Sequence, residues 1–275
     1  MKKILVPIDF SPYAAAAFET AMRIAAKGES SIIAVNVVGS TLDWASMRPE
    51  AKEKETKILD QLQEATAKLG EFLAPYTQPH VPLHTQVLVG IPYDQVCKLA
   101  AAENTDLIVL GAYGQGHAPE KHIGSHVQRI LREAHCPVLA VKKALNGNAL
   151  RKMVFAAKFH SDSKEAFLQL RPLIRQLRCS VHFLYINTPE GFTRTADADA
   201  AMQQYANGLE DIVIHKHIYN DTSAEAGILN FAQKLDAGFI AFATNERKNS
   251  RTYQIGHTET VLFKGDYAVL SVKFT

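Results

Sequence analysis

The sequence predicts an α/β protein made of two tandem copies of one open, doubly wound, parallel five-stranded sheet. Three observations carry that expectation. Short apolar, often β-branched runs alternate with amphipathic stretches along all 275 residues, the pattern of parallel strands joined by helical crossovers. The same order of elements then occurs a second time, which selects two domains of roughly 130 to 140 residues where length alone allows either one large domain or two. Single residues coincide as well. An offset of 149 positions carries residues 4–8 onto 153–157 and Phe18 onto Phe167, and an offset of 132 carries residues 107–110 onto 239–242 and Gly124 onto Gly256.

Each element follows from local chemistry. Residues 4–8, Ile-Leu-Val-Pro-Ile, are apolar throughout, as in a strand buried on both faces. Ser11 and Pro12 form an N-cap followed by proline at the first helical position. Behind them Ala14, Phe18, Ala21 and Ala25 make an inward stripe. Gly28 ends that helix, and residues 31–38 form the second strand. An irregular stretch with the sole tryptophan, Trp44, leads to one long charged helix expected from about Pro49 to Leu73, with Glu53, Lys54, Glu55 and Lys57 on a solvated face. A third strand covers 86–89, and Gly90 turns the chain into a helix over 93–103, with Val96, Leu99 and Ala100 inward. Residues 107–110 form the fourth strand, 111–124 a glycine-bearing loop, and a helix runs to Glu133 before the fifth strand at 137–141. The second copy places its strands at 153–157, 181–186, 212–218, 239–242 and 268–272. Asn146-Gly147-Asn148 is the expected linker, giving domains 1–145 and 150–275.

Composition excludes some partners. The net charge is only +2 and the lysines and arginines are scattered, so neither nucleic acid nor an anionic membrane is expected. Pro7 and Asp9 interrupt the apolar start, and no run approaches the ~20 apolar residues of a spanning helix, so neither a signal peptide nor a membrane segment is expected. Cys97, Cys136 and Cys179 are odd in number and far apart, which fits a reducing cytoplasm.

The chemistry concentrates after the fourth strand: Gly111-Ala-Tyr-Gly114-Gln-Gly116, seven residues, then Gly124-Ser125. Open α/β sheets bind ligands at the carboxyl ends of their strands, near the point where strand order reverses. Glycines there let backbone N–H groups approach phosphate oxygens. Gly124-Ser125 opens the next helix, so free N–H groups and the positive dipole end face an anion, and the Ser125 hydroxyl can add a hydrogen bond. The loop is neither a Walker A sequence nor the GxGxxG fingerprint that follows a first strand. Glycines of structural turns account for the same pattern, and spacing alone leaves that open.

Gly111-x2-Gly114-x9-Gly124-Ser125 matches the nucleotide-binding pattern of the universal stress protein family in full. The openings at residues 4–11 and 35–38, the run 106–111 and the closing 136–141 are also similar to that family, so that the resemblance covers residues 1–143 and, more faintly, 151–274. The resemblance implies an adenine nucleotide alpha hydrolase-like fold and ATP as ligand of the first copy, with Mg²⁺ on its phosphates. By motif position Asp9 would meet the ribose, Pro7 and Ile8 would line the base pocket, and Val37 would lie against the adenine. Gly111, Gly114, Gly116, Gly124 and Ser125 would hold ribose and phosphates. Read from the residues alone, Asp9 could equally cap the turn after the first strand, and Pro7 and Val37 could simply pack. The resemblance further implies a regulatory role in stress response through protein partners that it does not name. A scaffold of the same fold with a vestigial site is the alternative. In the family the fifth strand makes the dimer contact, so the two copies are expected to pack as an intramolecular pseudo-dimer through residues 138–141 and 268–272, with a homodimer of whole chains as a further option.

The first copy departs from the family between Gly116 and Gly124, where His117, Pro119, Lys121 and His122 stand, and at His126, which replaces a small apolar residue. His122 and His126 are four apart, but Gly124 and Ser125 interrupt any helix between them and no third ligand is evident, so no metal site is expected. In the second copy Ala156, Lys158, Ala243, Glu246 and His257 replace Pro7, Asp9, Gly111, Gly114 and Ser125. A carboxylate at 246 would repel a phosphate. That copy is expected to bind no ATP, its polar loop 245–251 being solvated or, through Arg247, Lys248 and Arg251, holding another anion. His215 and His217 alternate on a strand and are expected to be exposed at its edge. No GxSxG, HExxH or SGGxDS-type set is present, Cys97 and Cys136 read as core or surface residues rather than nucleophiles, and at most very slow ATP hydrolysis is expected.

Overall fold

The computed structural model describes residues 1–114, 124–245 and 257–274. The chain divides into two units, Met1–Ala144 and Leu145–Thr275. In unit 1 the chain runs β1 (Lys3–Pro7), α1 (Pro12–Ala25), β2 (Ser31–Gly39), α2 (Pro49–Lys52), α3 (Thr56–Leu73), β3 (Leu83–Gly90), α4 (Pro92–Ala102), β4 (Leu107–Gly111), α5 (Ser125–Glu133) and β5 (Val138–Val141). The strands are parallel in the order β3-β2-β1-β4-β5. The most apolar runs lie in the middle: Ile4, Leu5, Val6, Leu107, Ile108 and Val109 have no exposed surface. Right-handed crossovers that leave β1 in opposite directions put α1 and α3 on one face and α4 and α5 on the other.

Unit 2 repeats the plan with β6 (Lys152–Ala156), α6 (Lys164–Gln169), α7 (Arg171–Leu177), β7 (Ser180–Asn187), α8 (Thr195–Ala206), β8 (Ile214–Asn220), α9 (Ala224–Leu235), β9 (Phe239–Asn245), α10 (His257–Lys264) and β10 (Ala268–Phe274). Its parallel order, β8-β7-β6-β9-β10, is that of unit 1 strand for strand. The copy extends to backbone detail. Phe10 and Phe159 both adopt the left-handed region, at φ 63° and 57°, and so do Asn104 and Asp236, at 49° and 54°. The first pair stands at the offset of 149 and the second at 132. Left-handed residues other than glycine are uncommon, so two coincident pairs argue for one ancestral backbone. The Ile8 N–H donates to Val35 O at 2.8 Å, and its counterpart Ala157 to Leu184 O at 3.2 Å.

The cores are filled differently. In unit 1 α1 buries Ala14, Phe18, Ala21 and Ala25, the predicted stripe. Ser11 caps it, its Oγ accepting from the Ala14 N–H at 3.1 Å. Unit 2 instead packs Phe155, Phe159, Phe167, Phe183 and Tyr205 into one aromatic cluster, with centroids 4.8 Å apart for Phe155–Phe167 and 4.9 Å for Phe159–Phe183. The Tyr205 hydroxyl donates to Ser163 O at 2.9 Å, which satisfies the one polar group in that cluster.

Two expectations are corrected. The helix over 49–73 is broken: α2 ends at Lys52 and α3 begins at Thr56. α3 buries Ile58, Ala65, Leu69 and Leu73, whereas α2 buries nothing, so no packing holds the two in line. Trp44 precedes α2, its ring under Lys52 Nζ at 5.5 Å and packed on Val38, Ile58, Ala65 and Val89. The second correction concerns β8. His215 is exposed, but His217 is half-buried, bonded to His182 and packed on Phe231, because α9 covers that face of the strand.

Candidate functional site

Strand order reverses between β1 and β4, and the predicted residues gather at the carboxyl ends of these strands and of β2. Pro7 pairs with Val35, which sets Val37 just beyond it on the neighbouring strand. The Ile8 N–H bonds Val35, and its carbonyl accepts from Asn36 Nδ2 at 2.7 Å, so this peptide is held on both sides. The Ile8 side chain is core, 3% exposed, and only its backbone can face a ligand. Pro7 and Val37 are half-buried at the strand ends.

Asp9 begins the turn into α1. Its Oδ1 accepts from the Ser11 N–H at 3.0 Å, the turn-capping role weighed from sequence. Its Oδ2 points the other way, at Gly114: a Cβ on Gly114 would stand 3.0 Å from that oxygen. Capping therefore uses one carboxylate oxygen and directs the second at the glycine loop. Phe10 takes up the reversal with its positive φ.

The glycines differ in what they do. A Cβ on Gly111 would lie 2.7 Å from Tyr13 Cβ and 2.8 Å from the Tyr13 carbonyl carbon, so α1 itself demands glycine there. Gly114 faces Asp9, and Gly124 returns beside it, its Cβ position 3.8 Å from Gly114 N. Thus the two ends of the loop meet, with the Gly114 end against Asp9. Ser125 is exposed at the start of α5, whose first N–H groups have no helical partner. Gly116 lies outside the described residues, as do His117, Pro119, Lys121 and His122. Among the described residues no group of three His, Cys, Asp or Glu side chains could hold a metal ion.

His126 turns toward α4, stacking on Tyr93 at 6.0 Å between centroids. Arg129 joins the stack 4.5 Å over the Tyr93 ring and donates to its hydroxyl at 2.7 Å. Desolvation and then the Arg129 charge lower the His126 pKa. The Cys136 thiol is pushed up to about 12, chiefly by burial, and so stays protonated and unreactive at neutral pH.

Sequence reasoning missed three contributors: Asn36, which pins Ile8; Tyr13, which makes Gly111 obligatory; and Tyr113, 4% exposed and packed edge-on against Tyr13 at 5.1 Å. It also missed a cleft of about 200 Å³ beside the site, lined by Phe10, Val38, Gln61, Glu64 and Lys68. None of the glycines 111, 114 or 124 lines that cleft, so it is not the phosphate cradle.

At the matching place in unit 2, Lys158 replaces Asp9. Its ammonium donates to Ile186 O at 3.0 Å and lies 4.3 Å over the Tyr185 ring. Ile186 is the counterpart of Val37, so the lysine ties the turn after β6 to the end of β7. Ala243 is described at the position of Gly111, whereas Glu246, Arg247, Lys248, Arg251 and Gly256 lie outside the described residues.

Comparison with known proteins bears on this arrangement. Residues 1–142 match the model of the universal stress protein family. A universal stress protein of Methanocaldococcus jannaschii is 31% identical over 143 residues, covering 52% of this chain and 82% of its own length. Universal stress protein A homolog 1 of Coxiella burnetii is 33% identical over 147 residues, covering 51% of this chain and 95% of its own. The crystal structure of a universal stress protein from Archaeoglobus fulgidus superposes over 98% of both chains with a TM-score of 0.74 at 16% identity, a likeness of fold.

Proposed function

Because the chain belongs to the universal stress protein family, we propose that it binds ATP in unit 1 alone, and that the nucleotide sets a conformation read by other proteins in a stress response. The domains of this reading are residues 1–145, with the working motif, and 150–275, without it. One contrast carries it: Asp9 offers an oxygen to the meeting point of Gly114 and Gly124, while Lys158 closes the same place in unit 2.

The residues fit a nucleotide. Glycine at 114 leaves open the space that a Cβ would take beside Asp9. Asp9 would accept from ribose hydroxyls, the Pro7–Ile8 backbone and Val37 would flank the base, and Gly111, Gly114, Gly116, Gly124 and Ser125 would offer backbone N–H groups and a hydroxyl to ribose and phosphates. A Mg²⁺ would be held by phosphate and water. The bound nucleotide would supply negative charge; the chain's residues bind and orient it. A cytoplasmic setting is part of the reading, supported by the odd number and wide spacing of the three cysteines.

Titration calorimetry with Mg·ATP tests it. We expect about one nucleotide per chain, and none after Gly114→Glu, which copies the second unit. One observation favours a scaffold instead: packing against Tyr13 accounts for Gly111 with no ligand at all. Absence of binding by the unmutated chain would establish that second reading.

A further inference from the structure

A cluster of three imidazoles in unit 2 lies apart from the candidate nucleotide site. His182, on β7, is 8% exposed, and its Nδ1 is 3.0 Å from His217 Nε2 on β8, a hydrogen bond in which one ring donates. These rings are within 19° of parallel with centroids 5.2 Å apart, close to the span of two ring radii and the bond itself, so they meet through their facing nitrogens. Two ligands of one metal at ~2.0–2.1 Å each would need their nitrogens to converge on a third point rather than on each other. His215, in register with His182, covers it from solvent, stacked at 4.8 Å and 21°. On its other side His182 Nε2 meets Ser180 Oγ at 3.4 Å.

The surroundings are poor in countercharge. From β8 the titratable groups facing His182 are His215 and His217, and from β6 it is Lys152, a cation; α9 brings Phe231, 4.8 Å from His217. No carboxylate is among the groups that act on either buried ring. β8 is the edge strand of its unit, held in the sheet by β7 alone.

We propose that His182, His215 and His217 form an acid-sensitive latch that holds β8 on β7 at neutral pH and loosens it on acidification. One added proton leaves the His182–His217 bond in place but puts a charge on a desolvated ring; a second places N–H groups on both facing nitrogens, and the bond is lost. A charged His182 would also lie against His215 and near Lys152 with no anion to offset it. Burial, then His217, His215 and Lys152, lower the His182 pKa to about 4, and burial and His215 lower that of His217. A folded-state pKa below the unfolded value means that the closed strand binds fewer protons. Its stability is complete above pH ~6.5 and declines as pH falls toward 4.

The test is amide hydrogen exchange of Ile214–Asn220 in the full chain at pH 7 and pH 5, corrected for the intrinsic rate at each pH. From His182 alone, protection of β8 is expected to fall about 20-fold between these values. In His182→Val most of that change should vanish. Should the variant fold poorly, imidazole ¹⁵N shifts of the unmodified chain decide the matter: His182 should stay neutral to below pH 5. Titration of His182 near 6.5, or an undiminished pH dependence in a folded His182→Val, would overturn the proposal.

Discussion

The two units share strand order, a strained phenylalanine and a strained helix end, yet they differ at one corner. In unit 1 Phe10 is half-buried, lies 5.6 Å from Phe72 and faces an open cleft, with Asp9 directed at a glycine loop. In unit 2 Phe159 is 5% exposed inside a cluster of aromatic rings, and Lys158 is bonded to the neighbouring strand. One backbone thus supports two solutions. Where the strand ends are left open, polar groups remain aimed into the opening; where they are closed, the space goes to packing. The comparison teaches that a fold fixes where a site can be, and a few side chains decide whether one exists.

The largest effect should come from exchanging the residue that separates the two corners. Asp9→Lys is expected to weaken ATP binding at least ~100-fold, about 2.7 kcal/mol, by carrying the closure of unit 2 into unit 1. Calorimetry reads it, and retained binding would break the comparison. Next comes packing. Phe159→Ala should destabilise unit 2 by about 3–5 kcal/mol, whereas Phe10→Ala, already half-exposed, should cost unit 1 only about 1 kcal/mol. Urea denaturation of the two variants, followed separately for each unit, tests the inequality. Gly111→Ala, which copies Ala243, should cost about 1–3 kcal/mol because its methyl would meet the Tyr13 backbone. A neutral result would mean that α1 can retreat to admit a methyl group. The smallest effect is a shared one: Asn104→Gly and Asp236→Gly should each stabilise by about 1 kcal/mol or less, and equally, if both helix ends carry the same left-handed strain. Thermal unfolding of each variant measures it.

Much of this was legible in the sequence. Buried strands such as 4–8 and 107–110 announce themselves because no polar residue interrupts them, and Ser11-Pro12 fixes a helix start by local chemistry alone. The gap between α2 and α3 was not legible, since Glu53, Lys54 and Glu55 suit a helix and only the missing inward contacts end it. Gly111 and Gly114 were visible as a pattern, but their distinct reasons, one a helix and the other a carboxylate, depend on what tertiary folding brings within 3 Å. The His182–His217 bond was hidden for a related cause. The two residues are 35 positions apart, and only the register of β7 on β8 makes them neighbours.

Trp44 has a practical consequence for all these experiments. It is the sole tryptophan and packs on Val38, Ile58, Ala65 and Val89 of unit 1. Its indole emission therefore reports on one half of the chain and is silent about the other. An unfolding curve followed by fluorescence at long excitation wavelength will describe unit 1, while far-ultraviolet circular dichroism sums both halves. Where the two curves separate, the chain does not melt as a single cooperative body; where they coincide, it does.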